Sequence, residues 1–268
     1  MSDLDLYSSL VLKGEAEEIE IVSAYLEKLC LGININEAST SIYFKNVDKK
    51  KIDQIIRGCS NLVSWAWENI EVQDWMHNWK PYFKDVFIKD RVVIVPDWNK
   101  KQYSEKIVLK IDPGMAFGTG HHETTELMIR FILKYHEKNM DVLDLGTGSG
   151  ILSILAYKLS SNKILSIDND PVIESNFKKN MLINNSNAIL SIDSCFNIQD
   201  FNYDLILANI NKNILIDLIP QMFSKKGFIV LSGILESDYD EILNIVNKNN
   251  FNVIDFDKIN EWIGIVII

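Results

Sequence analysis

The chain has 268 residues, 47% hydrophobic and 24% charged, the make-up of an ordinary globular protein and the length of one large domain or two smaller ones. A formal net charge of −10 argues against a protein that grips nucleic acid through a broad basic surface, and suits a basic protein substrate and an ordinary acidic cytosolic enzyme equally. Cys30, Cys59 and Cys195 are scattered with no C-x-x-C pair, so they read as reduced core thiols and not as a disulfide framework. The opening Met-Ser-Asp-Leu-Asp is acidic and lacks the regions of a secretion signal, and no apolar run reaches membrane-spanning length. A cytoplasmic protein is expected.

Leu6 to Leu12 reads as a strand ended by Gly14, and Glu15 to Leu29 as an amphipathic helix with Ala16, Ile19, Val22, Leu26 and Leu29 on one face. Ser41 to Phe44 reads as a second strand, and Lys50 to Cys59 as a helix with Ile52, Ile55 and Ile56 inward. Strand, helix, strand, helix suggests a small α+β module of ferredoxin-like type over residues 1–64. It holds no polar cluster that resembles a catalytic site, so a binding role is expected. Five of the six tryptophans follow (Trp65, Trp67, Trp75, Trp79 and Trp98), with Tyr82, Phe83 and Phe87 among them. Such a stripe reads as packed core, or as a substrate-facing or interdomain surface. Val86 to Val95 reads as a strand pair tipped by Lys89-Asp90-Arg91, and Pro96-Asp97-Trp98-Asn99 as a turn. Residues 65–105 are expected to be a connector packed on a C-terminal domain over 106–268.

Ile107 to Ile111 alternates like a strand. Asp112-Pro113-Gly114-Met115-Ala116-Phe117-Gly118-Thr119-Gly120-His121-His122-Glu123-Thr124-Thr125 then forms a loop suited to close over a ligand. A helix is expected from Glu126, with Leu127, Met128, Phe131, Ile132 and Tyr135 on its apolar face. Thr124 and Thr125 fall at its first turn, where a hydroxyl can cap a free N–H or bind a cofactor. His121 and His122 are adjacent, with no third ligand spaced nearby, so no metal site is expected. Val142, Leu143 and Leu145 read as a buried strand broken by Gly146, Gly148 and Gly150, and Ile151, Leu152, Ile154, Leu155 and Leu159 follow at helical spacing. A strand that ends in alternating glycines and opens a helix is a nucleotide-binding turn. The dinucleotide pattern G-x-G-x-x-G needs a third glycine where this chain has Ile151. Asp168 ends the next strand, Ile164 to Ile167, and a carboxylate there can hold both ribose hydroxyls.

Pro171 opens a helix through Asn184, and Ala188 to Ile192 reads as a strand followed by Asp193. That acid could meet an adenine amino group or simply sit on a surface loop. Tyr203 to Ala208 reads as a strand delivering Asn209-Ile210-Asn211. A helix over 214–222, a strand over 228–231, a helix over 239–246 and a strand pair over 251–256 and 262–268 complete the pattern. Strands alternating with helices and closing in a hairpin predict an α/β domain with a mostly parallel sheet. Such a sheet binds ligands beyond the carboxyl ends of its strands. Gly146, Asp168 and Asn209 all fall at such ends, so one crevice can hold all three.

G-x-G-x-G preceded by Asp144 is similar to motif I of class I S-adenosylmethionine-dependent methyltransferases. The stretch 112–125 resembles the signature D-P-G-x-A-F-G-T-G-x-H-x-T-T of the bacterial family that methylates large-subunit ribosomal protein eleven. Residues 144–154, 166–171, 207–210 and 231–235 are similar to later motifs of that family. The likeness is close over 107–235 and rests on length and layout before it. It implies a Rossmann-like class I methyltransferase sheet of seven mostly parallel strands, with S-adenosylmethionine as cofactor. It implies cofactor contacts from Thr125, Gly146, Asp168 and Asn209, with Gly148, Thr124 and Phe117 beside them, and a catalytic role for Asn209. His122 matches the family histidine and is expected to order the loop. Asn-Ile-Asn replaces the Asn-Pro-Pro or Asp-Pro-Pro common in amino-directed methyltransferases, which weighs against a DNA-adenine acceptor; Asn211 stands where the family usually has Leu. The implied activity is methyl transfer to lysine ε-amines, and an α-amine, of ribosomal protein eleven. The N-terminal module would recognise that substrate, and a monomer is expected, with no nucleic-acid requirement and no membrane. Another protein or small-amine acceptor remains open, as does a non-catalytic cofactor-binding assembly factor. An NAD-dependent oxidoreductase is disfavoured by Ile151 and the loop.

Overall fold

The computed structural model describes residues 7–268 apart from 27–28, 31, 37–38, 46, 60–61, 71–83, 105, 114–117, 119 and 223–226. The chain divides into two compact units, Met1–Phe83 and Lys84–Ile268.

The first unit runs β1 (Tyr7–Lys13), α1 (Ala16–Leu26), β2 (Gly32–Asn36), β3 (Ser39–Lys45), α2 (Lys49–Cys59) and β4 (Ser64–Ile70). Its strands pair antiparallel in the order β2-β3-β1-β4, the βαββαβ layout of ferredoxin-like modules. Leu10 and Leu12 of β1, Ile42 and Phe44 of β3, Val22 and Leu26 of α1, and Ile52 and Ile56 of α2 make its core. The two outer strands, β2 and β4, go beyond the strand–helix–strand–helix reading. β4 draws Trp65 and Trp67, expected in a connector, into this sheet. Both indole N–H groups donate to one oxygen, Asp53 Oδ1, at 2.8 Å. Trp75, Trp79, Tyr82 and Phe83 lie outside the described residues.

The second unit opens with β5 (Val86–Ile88), β6 (Val92–Pro96) and β7 (Ile107–Ile111) in a three-stranded sheet of that order. Lys89 and Asp90, at the expected tip, take left-handed φ of 50° and 53°, the geometry of a tight hairpin turn. The stretch expected as one connector therefore divides between the units, β4 on one side and β5 and β6 on the other.

The large sheet follows: α3 (Glu123–Tyr135), β8 (Val142–Leu145), α4 (Ile151–Lys158), β9 (Ile164–Asp168), α5 (Glu174–Asn184), β10 (Ile189–Ile192), β11 (Leu205–Asn209), α6 (Lys212–Leu218), β12 (Phe228–Leu235), α7 (Tyr239–Lys248), β13 (Val253–Ile259) and β14 (Trp262–Ile267). Seven strands lie in the order β10-β9-β8-β11-β12-β14-β13. The first five are parallel, and β14 is antiparallel to both its neighbours. This is the class I methyltransferase sheet. All four residues of β8, and Leu205 to Ala208 of β11, are buried, as expected where helices cover both faces of a parallel sheet. The strand order turns back between β8 and β11, so a crevice opens beyond their carboxyl ends.

Candidate active site

Gly146, Gly148 and Gly150 carry φ of 70°, 53° and 80°, which favour glycine because a Cβ crowds the backbone there. The Gly146 and Thr147 N–H groups donate to Ile167 O at 2.9 and 3.1 Å, tying the end of β8 to the end of β9. The Gly148 N–H donates to Asp168 Oδ2 at 2.9 Å, and the Asp170 N–H to Asp168 Oδ1 at 3.0 Å. Each carboxylate oxygen keeps a second lone pair. Below the turn, Asp144 is fully buried. Its Oδ2 accepts from the Thr147 hydroxyl at 2.7 Å and the Ser153 hydroxyl at 2.6 Å, while Oδ1 has no hydrogen-bond partner among the described residues. Burial pushes its carboxyl above the ordinary range, against the pull of the Ser153 and Thr147 hydroxyls.

α3 starts at Glu123, earlier than expected, because His122 caps it. The Thr124 N–H donates to His122 Nδ1 at 3.3 Å, and the Thr124 hydroxyl lies 2.9 Å from that nitrogen. The His122 ring also meets the Trp262 ring edge-on, centroids 5.0 Å apart. Neither threonine caps the helix; Thr124 is occupied with the residue that does. Thr125 is fully buried and its Oγ1 has no hydrogen-bond partner among the described residues, a capacity that a ligand could satisfy. The Ser149 hydroxyl donates to Gly118 O at 2.6 Å, joining the loop to the glycine turn. Phe117 lies outside the described residues. His121 Nε2 sits 3.2 Å from Lys84 O.

Asn209 ends β11 opposite Ser232 of β12. Its side chain is partly exposed and makes no hydrogen bond to a described residue. Its neighbour Ile210 is set between two glycines. A Cβ on Gly146 would run into Ile210 Cγ2, and one on Gly233 (φ 83°) into Ile210 O. Gly233 lies at a register shift of β12 against β14 between Leu231 and Ile234, a bulge that lets β12 run past the expected 231 to Leu235. Asn211 caps α6, accepting the Ile214 N–H at 3.2 Å, so the residue that departs from the family pattern has a local structural task. Asp193 is exposed, and its Oδ1 accepts from the Ser194 N–H and Asn197 Nδ2, both at 2.7 Å. That is the work of a loop acid.

The β8 and β9 ends thus bring Gly146, Gly148 and Asp168 together, and β11 delivers Asn209 at the adjacent strand end. The carboxylate, the three glycines of the turn and the Thr125 hydroxyl, which has no hydrogen-bond partner among the described residues, are groups that a nucleoside cofactor could use. Ser149, Ile210 and Gly233 were not singled out in the sequence. For Gly233 a signal existed, since glycine inside a strand often marks a bulge.

The chain is similar to known proteins. The model of the ribosomal protein L11 methyltransferase family matches residues 10–268. A protein of Caldicellulosiruptor saccharolyticus named ribosomal protein L11 methyltransferase is 35% identical over 251 residues, covering 92% of this chain and 80% of its own. One of the same name from Ruminiclostridium cellulolyticum is 34% identical over 235 residues, 81% of this chain and 74% of its own. A crystal structure of ribosomal protein L11 methylase from Lactobacillus delbrueckii subsp. bulgaricus matches with a TM-score of 0.65 and 32% identity, covering 69% of this chain and 98% of that one.

Proposed function

The chain belongs to the ribosomal protein L11 methyltransferase family, and from that premise we propose that it transfers methyl groups from S-adenosylmethionine to lysine ε-amines, and an α-amine, of ribosomal protein L11. The observation that carries the cofactor reading is the bond from the Gly148 N–H to Asp168 Oδ2. It sets a diol-binding carboxylate against a backbone turn open to close approach. When bound, the cofactor supplies an electrophilic methyl group. Asp168 would hold the ribose hydroxyls; Gly146, Gly148, Thr125, Thr124, Phe117 and Asn209 are the other cofactor contacts of this reading.

Asn209 is the catalytic residue of this reading. Its amide oxygen and backbone carbonyl accept hydrogen bonds from the acceptor amine and aim its lone pair at the methyl group. The amine must first be neutral. With a free pKa of ~10.4, about one lysine in 2500 is neutral at pH 7, a deficit of roughly 4.6 kcal/mol. A carboxylate at this position would favour the ammonium form and deepen that deficit; an amide does not. The apolar Ile210 beside it adds desolvation, which lowers an amine pKa.

The first unit is assigned to substrate recognition, with the enzyme working in the cytoplasm as a monomer and without nucleic acid. Removing residues 1–83, the boundary drawn by the compact units, is expected to spare cofactor binding and abolish protein methylation. Retained methylation would refute the recognition role. The activity itself is tested with methyl-labelled S-adenosylmethionine and ribosomal proteins from a strain lacking this enzyme. Mass spectrometry should find label on lysines of L11. Label on another protein would change the acceptor. No label despite cofactor binding would favour an assembly factor.

A further inference from the structure

Asparagine is a poor residue for a helix interior, and a buried amide is costly unless paired. α5 nevertheless carries Asn176, Asn180 and Asn184 at four-residue spacing, on one face. Asn180 is fully buried and Asn184 nearly so. The face lies along β7, whose other edge pairs with β6. Asn184 Oδ1 accepts the Lys110 N–H at 3.0 Å, and its Nδ2 donates to Lys110 O at 2.6 Å. This is the reciprocal pair that a neighbouring strand would make. Asn176 Nδ2 donates to Asp112 O at 3.1 Å. Asn180 differs from both, because it joins two elements. Its Oδ1 accepts the Asp112 N–H at 2.8 Å, and its Nδ2 donates to Ser149 O at 2.9 Å.

Ser149 therefore holds both Asp112 and Gly118. Its carbonyl reaches the root at Asp112 through Asn180, and its hydroxyl donates to Gly118 O at 2.6 Å. Ser149 is itself fully buried, between Gly148 and Gly150. The spacing is tight: a Cβ on Gly118 (φ 92°) would lie 3.0 Å from Ser149 Oγ.

We infer that Ser149 and Asn180 form a clasp that fixes Asp112 and Gly118 on the glycine turn, and that they are positioning residues for retention of the cofactor. The inference rests on the reading that the glycine turn and Asp168 hold S-adenosylmethionine. The clasp acts on how long the cofactor stays, and the methyl-transfer step is left to Asn209.

The full chain, Ser149→Ala and Asn180→Asp are titrated calorimetrically with S-adenosylmethionine, and their steady-state methylation of L11 is measured. Ser149→Ala removes one hydrogen bond and should raise Kd about fivefold. Asn180→Asp keeps the acceptor for Asp112 but sets a carboxylate oxygen against Ser149 O, and should raise Kd about tenfold or more. In both, the KM for the cofactor should rise with Kd while kcat falls far less. Hydrogen exchange at Asp112 and Gly118 in the ligand-free protein should quicken relative to β8 and β11. Variants that melt earlier yet keep wild-type Kd and KM would overturn the clasp and leave these residues as fold supports. Wild-type protein that fails to bind S-adenosylmethionine would overturn the cofactor reading, and the clasp's function with it. Binding by wild type with unchanged variants would overturn the clasp alone.

Discussion

At the β8–β9 side of the crevice, the Asp168 carboxylate is pinned by the Gly148 and Asp170 N–H groups. At the β11 side, the Asn209 amide has no hydrogen-bond partner among the described residues, and its neighbour Ile210 packs between Gly146 and Gly233. The first construction suits a ligand of fixed shape, since donors and acceptors already in place lose little freedom on binding. The second would suit an amide that meets an incoming amine. On the proposed reading cofactor affinity rests chiefly on Asp168, and methyl transfer on Asn209, which also touches the cofactor.

The largest effect is expected where the hydrogen-bonded side is cut. Asp168→Ala removes the partner of the Gly148 N–H and the proposed acceptor of the ribose hydroxyls, and cofactor affinity should fall about hundredfold or more. Calorimetry reads this directly. Unchanged affinity would break the division. The converse cut is Gly233→Ala. A side chain at φ 83° is strained, and its Cβ would run into Ile210 O, so the Asn209-Ile210 turn must shift. We expect kcat to drop about tenfold through misplacement of the catalytic amide, with cofactor Kd little altered. A fall in Kd binding strength as large as that in kcat would show that packing supports both sides alike.

A smaller, pH-dependent effect probes the charge beneath the glycine turn. Burial raises the Asp144 carboxyl in the folded protein, so between its unfolded and folded pKa the native state binds the extra proton. Stability from this group is present at low pH and lost as pH rises through the folded pKa. Asp144→Asn cannot titrate. Its melting temperature relative to wild type should therefore climb as pH is raised from about 4. A difference flat with pH would mean that Asp144 ionises as it does in the unfolded chain.

The sequence made the hydrogen-bonded side of the crevice legible because its signals are local. Gly146, Gly148 and Gly150 need left-handed backbone, and Asp168 ends an apolar run, so strand, turn and carboxylate could be placed by counting. The seven-stranded sheet was legible for the same reason, each strand being a short apolar run bounded by polar turns. Other features depend on partners far along the chain. β2 is Gly-Ile-Asn-Ile-Asn, and its glycine and asparagines are poor strand formers; pairing with β3 overrides them. β4 read as an aromatic stripe because nothing nearby shows that Asp53 receives both its indoles. His122 is outside the usual capping residues, and only the Thr124 contact shows it acting as one. Asn176, Asn180 and Asn184 gain meaning only once β7 lies against them. The acceptor side is hardest to read, since Ile210 is held by glycines from two separate strands.

The most direct test of the divided crevice compares wild type with Asn209→Ala in calorimetric titration of S-adenosylmethionine and in single-turnover methylation of L11. The structure predicts a Kd within about threefold of wild type, the loss of at most one neutral hydrogen bond. The transfer rate should fall about hundredfold, the scale of removing one group that orients the reacting atoms. Cofactor affinity lost in proportion to the rate would contradict the account and make Asn209 a binding residue on the same footing as Asp168.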